Sequence, residues 1–230
     1  KAYSQTGKTT FMLRCFMRGL GYTIVFPPQL NVAWAVISGI SEQSRMKSGM
    51  APECGSLYRK CLVALTDMPF PTSMPIDSGM MKFCVDCGKC ADICPSAAIM
   101  SKDEQREPTW EITSANATAG NPTHLKPELF NRVGRKAWPL NHFACMNFWV
   151  EEGTDGCGLC QGTCVFNNFD LSSIHAVVKS VVAKTSILNG FFYEADKVWG
   201  YGNLDEESRD EFWFNPDKYL PTDKYLGTNY

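Results

Sequence analysis

Along the first quarter of the chain, apolar positions fall at helical spacing and then give way to turn residues. Between residues 8 and 20, Phe11, Met12, Cys15, Phe16 and Leu20 share one face of a predicted helix, and Gly19 and Gly21 mark its end. Tyr22 to Phe26 is rich in β-formers and stops at Pro27-Pro28, which predicts a strand. Residues 31–40 predict a second short helix with Asn31 at its N-cap. Helix, strand and helix in this order read as an α/β layer. Residues 41–60 predict an ordered loop, in which Glu53, Tyr58 and Arg59 either line a pocket or form a solvated connection. An apolar run at 62–65 and a proline-studded linker ending at Pro75 follow, and the domain boundary falls there.

Further on, Ser96-Ala-Ala-Ile99 predicts an exit from helix to strand, and residues 101–135, broken by Pro108, Pro122 and Pro127, read as a polar excursion. The stretch from Trp138 to Val150 is aromatic around Cys145, with Phe143, Phe148 and Trp149 placed to keep water from whatever that cysteine holds. Asp170 predicts an N-cap, Ile174, Val177, Val178, Val181 and Val182 a buried helical face, and Asn189-Gly190 the close of that helix. Residues 191–230 carry Phe191, Phe192, Tyr193, Trp199, Tyr201, Phe212, Trp213 and Phe214 in an irregular tail. So many rings predict that the tail docks on the body, since exposed they would promote aggregation.

Composition narrows the class. The 230 residues suit one or two domains, and 44% hydrophobic with 20% charged residues describe an ordinary globular chain. A net charge of −2 with no basic stripe argues against a nucleic-acid partner. The longest apolar candidate, Val32 to Ile40, falls well short of the roughly 18 residues that cross a bilayer. The chain opens on Lys1, with no secretory or twin-arginine signal, and begins in mid-fold; the expectation is a mature or truncated piece of a longer polypeptide.

Candidate chemistry lies in the cysteines. Cys84, Cys87, Cys90 and Cys94, with Pro95 behind them, have the spacing C-x2-C-x2-C-x3-C-P of the bacterial ferredoxin run that binds a [4Fe–4S] cube. In two-cluster ferredoxins the fourth cysteine of such a run serves the other cluster. A second set, Cys145, Cys157, Cys160 and Cys164, supplies the partner. Crossing the fourth ligands gives one cluster on Cys84, Cys87, Cys90 and Cys164, and another on Cys145, Cys157, Cys160 and Cys94. An odd total of 11 cysteines in a chain long enough for a real core disfavours a disulfide framework, and structural zinc would want four ligands in two pairs, not two interleaved sets of four. Cys15, Cys54 and Cys61 lie outside both sets and read as small buried hydrophobes. His124, His142 and His175 are too scattered for a metal triad, and no phosphate loop, nucleophile elbow or carboxylate pair is present. The chain speaks of electrons, not of hydrolysis.

The surrounding segments add a resemblance. Phe16-Met-Arg-Gly-Leu-Gly-Tyr22, Gly39-Ile-Ser-Glu42 with Arg45, Ala51-Pro-Glu-Cys-Gly55 with Arg59, Thr66-Asp-Met-Pro69, Pro75-Ile-Asp-Ser-Gly79 before Phe83-Cys84, Trp199-Gly-Tyr-Gly202 and Phe212-Trp213 follow one another in fixed order. That series resembles the corrinoid-dependent reductive dehalogenases of organohalide-respiring bacteria, over essentially the whole chain. It departs from the family pattern at Cys54, where Tyr is common, and at Val165, where Pro usually follows the last cysteine.

The resemblance implies an α+β fold in three parts: a partial nitroreductase-like, corrinoid-binding α/β layer (residues 1–75), a ferredoxin-like domain with two [4Fe–4S] clusters (76–169), and a C-terminal helix and aromatic tail packed back on the body (170–230). It implies a corrinoid with its lower base displaced, and an oxidoreductase that replaces halogen by hydrogen in a small organohalide. As implied partners it brings a membrane anchor or an electron-donor protein, and a homodimer or larger respiratory complex on the outer face of the cytoplasmic membrane. Carried over by position, the catalytic residues are Arg59, Tyr3 as proton donor, and Asn31; the corrinoid contacts are Ser38, Gly39, Ser41, Glu42 and Tyr58. With the front of the corrinoid layer absent, a partner chain or further residues would complete the pocket, and Phe26, Trp34 and Met50 would give it an apolar wall. Three rivals share the cysteines. An epoxyqueuosine reductase would bind tRNA with steep salt dependence, a ferredoxin subunit would hold iron without cobalt, and a degenerate paralogue would fold without turnover.

Overall fold

A computed structural model describes residues 2–27, 31–56, 63–110, 136–154, 156–167, 173–200 and 206–207, with side chains from residue 6 onward and, in the helix opening at 173, from residue 176. These residues fall into two compact units. One contains residues 2–27, 63–70 and 206–207, the other residues 31–56 and the described part of 71–200.

In the first unit a long helix, α1 (Ala2–Gly19), starts well before the predicted residue 8 and ends at the predicted glycines. Gly21 adopts φ +88°, which lets the Tyr22 N–H reach back to the Met17 carbonyl at 3.0 Å. Strand β1 (Ile24–Val25) then pairs antiparallel with β4 (Leu65–Thr66), Ile24 opposite Thr66, and the carboxylate of Asp67 accepts the Thr23 N–H at 2.8 Å. Met17 and Ile24 are buried, whereas Phe11, Met12, Phe16 and Leu20 are all more than half exposed. The apolar stripe of α1 therefore lies open among the described residues. Cys15 sits on it and is exposed, contrary to its reading as a buried hydrophobe.

The second unit opens with α2 (Asn31–Ile37), shorter than predicted because Gly39 turns at φ +73°. Asn31 does not cap it: its side-chain oxygen is buried without a hydrogen-bond partner. The predicted loop after it folds instead as a hairpin, β2 (Glu42–Gln43) against β3 (Gly49–Met50), closed by Ser44, whose N–H and hydroxyl both donate to the Ser48 carbonyl. Helices α3 (Met80–Asp86) and α4 (Lys89–Asp92) carry the first cysteine run; α5 (His142–Glu151) and α6 (Leu159–Gly162) carry the second. Between the runs, bridges Ile99 to Leu140 and Thr109 to Ala137 tie the two halves, so the predicted exit at Ile99 is a single antiparallel bridge.

Two more helices follow, and they correct the reading of the C-terminal third. α7 (Ser173–Lys184) stops five residues early, and Asn189-Gly190 opens α8 (Asn189–Trp199) instead of closing α7. The close falls to Gly200 at φ +64°. Only part of the predicted valine face of α7 is covered: Val182 is buried and Val178 packs on the core, but Val177 is 60% exposed. In α8, Tyr193 is buried while Phe191 and Trp199 stand out in solvent. Asp170, Cys61, Tyr201 and the rings at 212–214 lie outside the described residues.

The core of this unit gathers Met50, Met80, Phe83, Trp138, Phe166, Val182 and Tyr193, with the Phe83 and Phe166 rings edge to face at 5.1 Å. Burying each such side chain contributes about 1.5–3 kcal/mol, and these are the groups that hold the cysteine helices in place. A smaller cluster, Met46, Ala98, Ile99 and Leu140, lies against Cys90, Cys94, Cys145, Cys160 and Cys164. Among the described residues no helix is long and apolar enough to cross a membrane.

Candidate functional site

The two cysteine runs fold alike. Each reads Cys-Gly-x-Cys-x3-Cys, with Cys87-Gly88 leading into α4 and Cys157-Gly158 leading into α6. The glycines take φ +111° and +68°, a left-handed turn that side-chain-bearing residues rarely adopt, and each turn places the next cysteine on the first turn of a one-turn helix. The third cysteine, Cys94 or Cys164, follows just past the end of each helix.

That exit crosses the sets. One cavity is lined by Cys84, Cys87, Cys90 and Cys164, together with Arg45, Met50, Phe83 and Phe166. A second is lined by Cys94, Cys145, Cys157 and Cys160, together with Met46, Leu140, Phe148 and Trp149. The structure thus brings together the two sets of four that the spacing implies. Phe148 and Trp149 wall the second cavity as expected, whereas Phe143 is half exposed and stands outside its lining. His142, dismissed by the sequence, does line it. Met50 is fully buried with its sulfur 4.0 Å from that of Cys84, so it walls the first cavity and not a substrate pocket.

The environment resists bare thiolates. Burial, then the neighbouring Cys87, raises the Cys84 pKa far above that of an ordinary thiol. Burial likewise pushes Cys87 up to about 12 and Cys160 to about 11, the latter with help from Cys94, Cys145 and Cys157. Cys90, Cys145 and Cys164 shift in the same direction, burial again leading. Thiolates so placed persist only on a cationic partner, which deprotonates them outright. Among the described residues no three His, Cys, Asp or Glu converge as ligands to a single ion. Four thiols around one cavity are the donor set a [4Fe–4S] cube takes, and each of the two cavities offers such a set.

Polar links join the first cavity to its surroundings. Lys89 and Asp196 form an ion pair only about a tenth exposed, and the Tyr193 hydroxyl donates to Asp92 at 3.1 Å. Asn167, three residues past Cys164, accepts the Ser56 N–H at 3.0 Å and donates to the Gln161 and Gly162 carbonyls at 2.8 and 2.9 Å. Loop 51–56 is thereby fastened to the second cysteine run. Gly55, at φ +60°, allows this approach, since a Cβ there would lie 2.4 Å from the Phe166 carbonyl oxygen.

The residues carried over as corrinoid contacts fare differently. Ser41 is 1% exposed with an unpartnered hydroxyl, and Gln43, which the sequence reading missed, has an unpartnered amide nitrogen. With the Asn31 oxygen, three orphaned polar atoms lie between residues 31 and 43. Of the three, Gln43 lines an open groove with Val32, Val36, Glu42 and Trp110, and its unpartnered amide there suits a ligand bearing amide side chains, as a corrin ring does. The Ser38 hydroxyl donates to Ala35 at 3.3 Å, and Gly39 packs so that a Cβ would meet the Met74 carbonyl at 2.4 Å. Glu42 is fully engaged at the start of α3, accepting from Ser78 and Met81. Tyr3 belongs to α1, in the first unit; Tyr58 and Arg59 lie outside the described residues.

Comparison with known proteins identifies the class first: residues 83–168 match the family described as a 4Fe-4S dicluster domain, set in a fold of mixed helix and sheet. Over 92% of its length the chain is 32% identical to the trichloroethene reductive dehalogenase of Dehalococcoides mccartyi, and over 87% it is 31% identical to the tetrachloroethene reductive dehalogenase of Sulfurospirillum multivorans. Its fold matches a solved reductive dehalogenase, described for B12-dependent dehalogenation, with a TM-score of 0.65 at 21% identity over 83% of this chain and 25% of that one. Over most of its length the chain is thus similar to reductive dehalogenases. It spans 34% of the length of the first of these relatives and 36% of the second.

Proposed function

We propose that the chain provides the two iron–sulfur clusters and part of the corrinoid pocket of a reductive dehalogenase. The observation that carries this reading is the pair of four-cysteine cavities, each borrowing one thiol from the other run. Cys84, Cys87, Cys90 and Cys164 would hold one cube; Cys94, Cys145, Cys157 and Cys160 the other. The front of the chain would form part of a nitroreductase-like layer, and Ser38, Gly39, Ser41, Glu42 and Tyr58, joined by Gln43, would contact a corrinoid whose lower base is displaced. The corrinoid supplies the reduction at the carbon–halogen bond: an organohalide, two electrons and a proton give the hydrocarbon and a halide ion.

The chain's own residues hold, shield and protonate. Phe83, Phe166, Phe148 and Trp149 exclude water from the two cavities, which keeps the fields inside them strong. By position in the family pattern, Tyr3 would serve as the proton donor and Arg59 as a second catalytic residue. A membrane anchor or electron-donor protein on the outer face of the cytoplasmic membrane would complete the respiratory assembly.

The test is metal analysis of the full-length protein purified without oxygen, followed by halide release from a chlorinated ethene with a reduced viologen as donor. About eight iron atoms and one cobalt per chain, with halide release lost in Arg59→Ala, are expected. Iron without cobalt would point to a ferredoxin subunit, and tRNA binding that weakens steeply with salt to an epoxyqueuosine reductase.

A further inference from the structure

Arg45 is 1% exposed, and its guanidinium is surrounded by carbonyl oxygens. Nε and Nη2 donate to the Cys84 carbonyl at 3.2 and 3.0 Å, Nη1 to those of Met100 and Gln105 at 3.1 and 2.7 Å, and Nη2 also to that of Arg106 at 3.0 Å. Its carbon sits 4.8 Å from the centre of the Trp138 ring. None of these partners carries a charge. Among the described residues no carboxylate pairs with it, and Glu107 acts on it only at longer range.

A buried cation without a counter-ion is among the costliest arrangements a protein interior can hold. Arginine does not escape by losing its proton. Carbonyl dipoles offset part of the cost, but a full negative charge nearby would offset far more. Arg45 lines the first cavity beside Cys84, Cys87, Cys90 and Cys164. The other cation at this cavity, Lys89, is paired with Asp196.

We propose that Arg45 is the fixed counter-charge of the cluster held by Cys84, Cys87, Cys90 and Cys164, and that it sets that cluster's reduction potential above the value the site would otherwise have. This rests on the two-cluster reading above. A [4Fe–4S] cube with four thiolates is an anion, and uptake of one electron from an external low-potential donor adds a further negative charge with no bond made or broken. A cation beside it stabilises the reduced form more than the oxidised one, which raises the potential. Among the described residues the second cavity has no arginine in its lining, so this charge acts on one cluster of the two.

The experiment is an EPR-monitored redox titration of the full-length protein with dithionite, on wild type, Arg45→Lys, Arg45→Gln and Arg45→Met, with iron content measured on each. In Arg45→Gln and Arg45→Met, one of the two potentials is expected to fall while the other holds; Arg45→Lys, which keeps the charge and loses the fork, stays near wild type. If the uncharged variants assemble only one cluster while Arg45→Lys assembles both, the proposal also stands. Unchanged potentials in an uncharged variant that retains both clusters would overturn it. So would an Arg45→Lys that behaves like Arg45→Met, since the fork's geometry and not its charge would then matter. A wild type lacking either cluster would instead overturn the two-cluster reading, an outcome the iron content separates from the others.

Discussion

The carboxylate of Glu42 accepts the backbone N–H of Met81 at 2.8 Å, tying the β2–β3 hairpin to the first turn of α3. It also accepts the hydroxyl and the N–H of Ser78, so one side chain satisfies amides that would otherwise be orphaned where the first cysteine helix begins. Glu42→Ala is expected to cost about 1–3 kcal/mol and Glu42→Gln less, because the amide oxygen still accepts one bond. Thermal unfolding followed by circular dichroism checks this, and equal melting temperatures for all three proteins would refute it.

Asn167 acts as a similar rivet on the other run. Replacing it by Ala strips the Ser56 N–H of its acceptor and the Gln161 and Gly162 carbonyls of a donor, all close to Cys164. A loss of about 3 kcal/mol is expected, with iron escaping faster to a chelator. Stopped-flow absorbance with a ferrous chelator reads the rate.

Gly55→Ala sets a Cβ against the Phe166 carbonyl at a backbone angle few L-residues tolerate. Strain of about 1–3 kcal/mol comes on top of the clash, and the loop must lift from the second cysteine run. A variant that unfolds at the wild-type denaturant midpoint would show that loop 51–56 packs elsewhere.

The cysteines outside the two sets differ in reactivity for physical reasons. Cys15 is exposed, whereas burial and then Glu53 raise the Cys54 pKa, with Lys179 opposing. The thiolate is the nucleophile, so the folded protein's Cys54 should label with iodoacetamide slowly near neutrality and accelerate only above the ordinary thiol range. Mass spectrometry of timed quenches should show Cys15 modified first.

What could be read before any coordinates divides along the range of the interactions. Cluster spacing is local: four cysteines within eleven positions define a loop whatever surrounds it, and Cys157 to Cys164 repeats the spacing of its last three. The crossing of Cys94 and Cys164 spans much longer range, and came from the ligation pattern of two-cluster ferredoxins rather than from local spacing. The hairpin at 42–50 was not legible, because strands of two residues leave no alternation, and its closure depends on one serine bonding to another. The α7–α8 break was misplaced for a related reason: Asn-Gly is a helix stop in isolation, yet here the Ser186 carbonyl accepts the Asn189 N–H and a second helix begins. Arg45 was the least legible of all. A lone arginine in a polar stretch reads as surface, and only the convergence of backbone carbonyls from residues 84–85 and 100–106 reveals that it is interior.

The crossing of the fourth cysteines can be tested by iron counts in paired serine variants of the full-length protein. Cys94→Ser with Cys145→Ser removes two thiols from one cavity, and Cys94→Ser with Cys84→Ser removes one from each. The first pair should keep about four iron atoms per chain and the second close to none. The reverse order, with iron retained in the pair that includes Cys84, would mean that each run holds its own cluster and that the crossed arrangement is wrong.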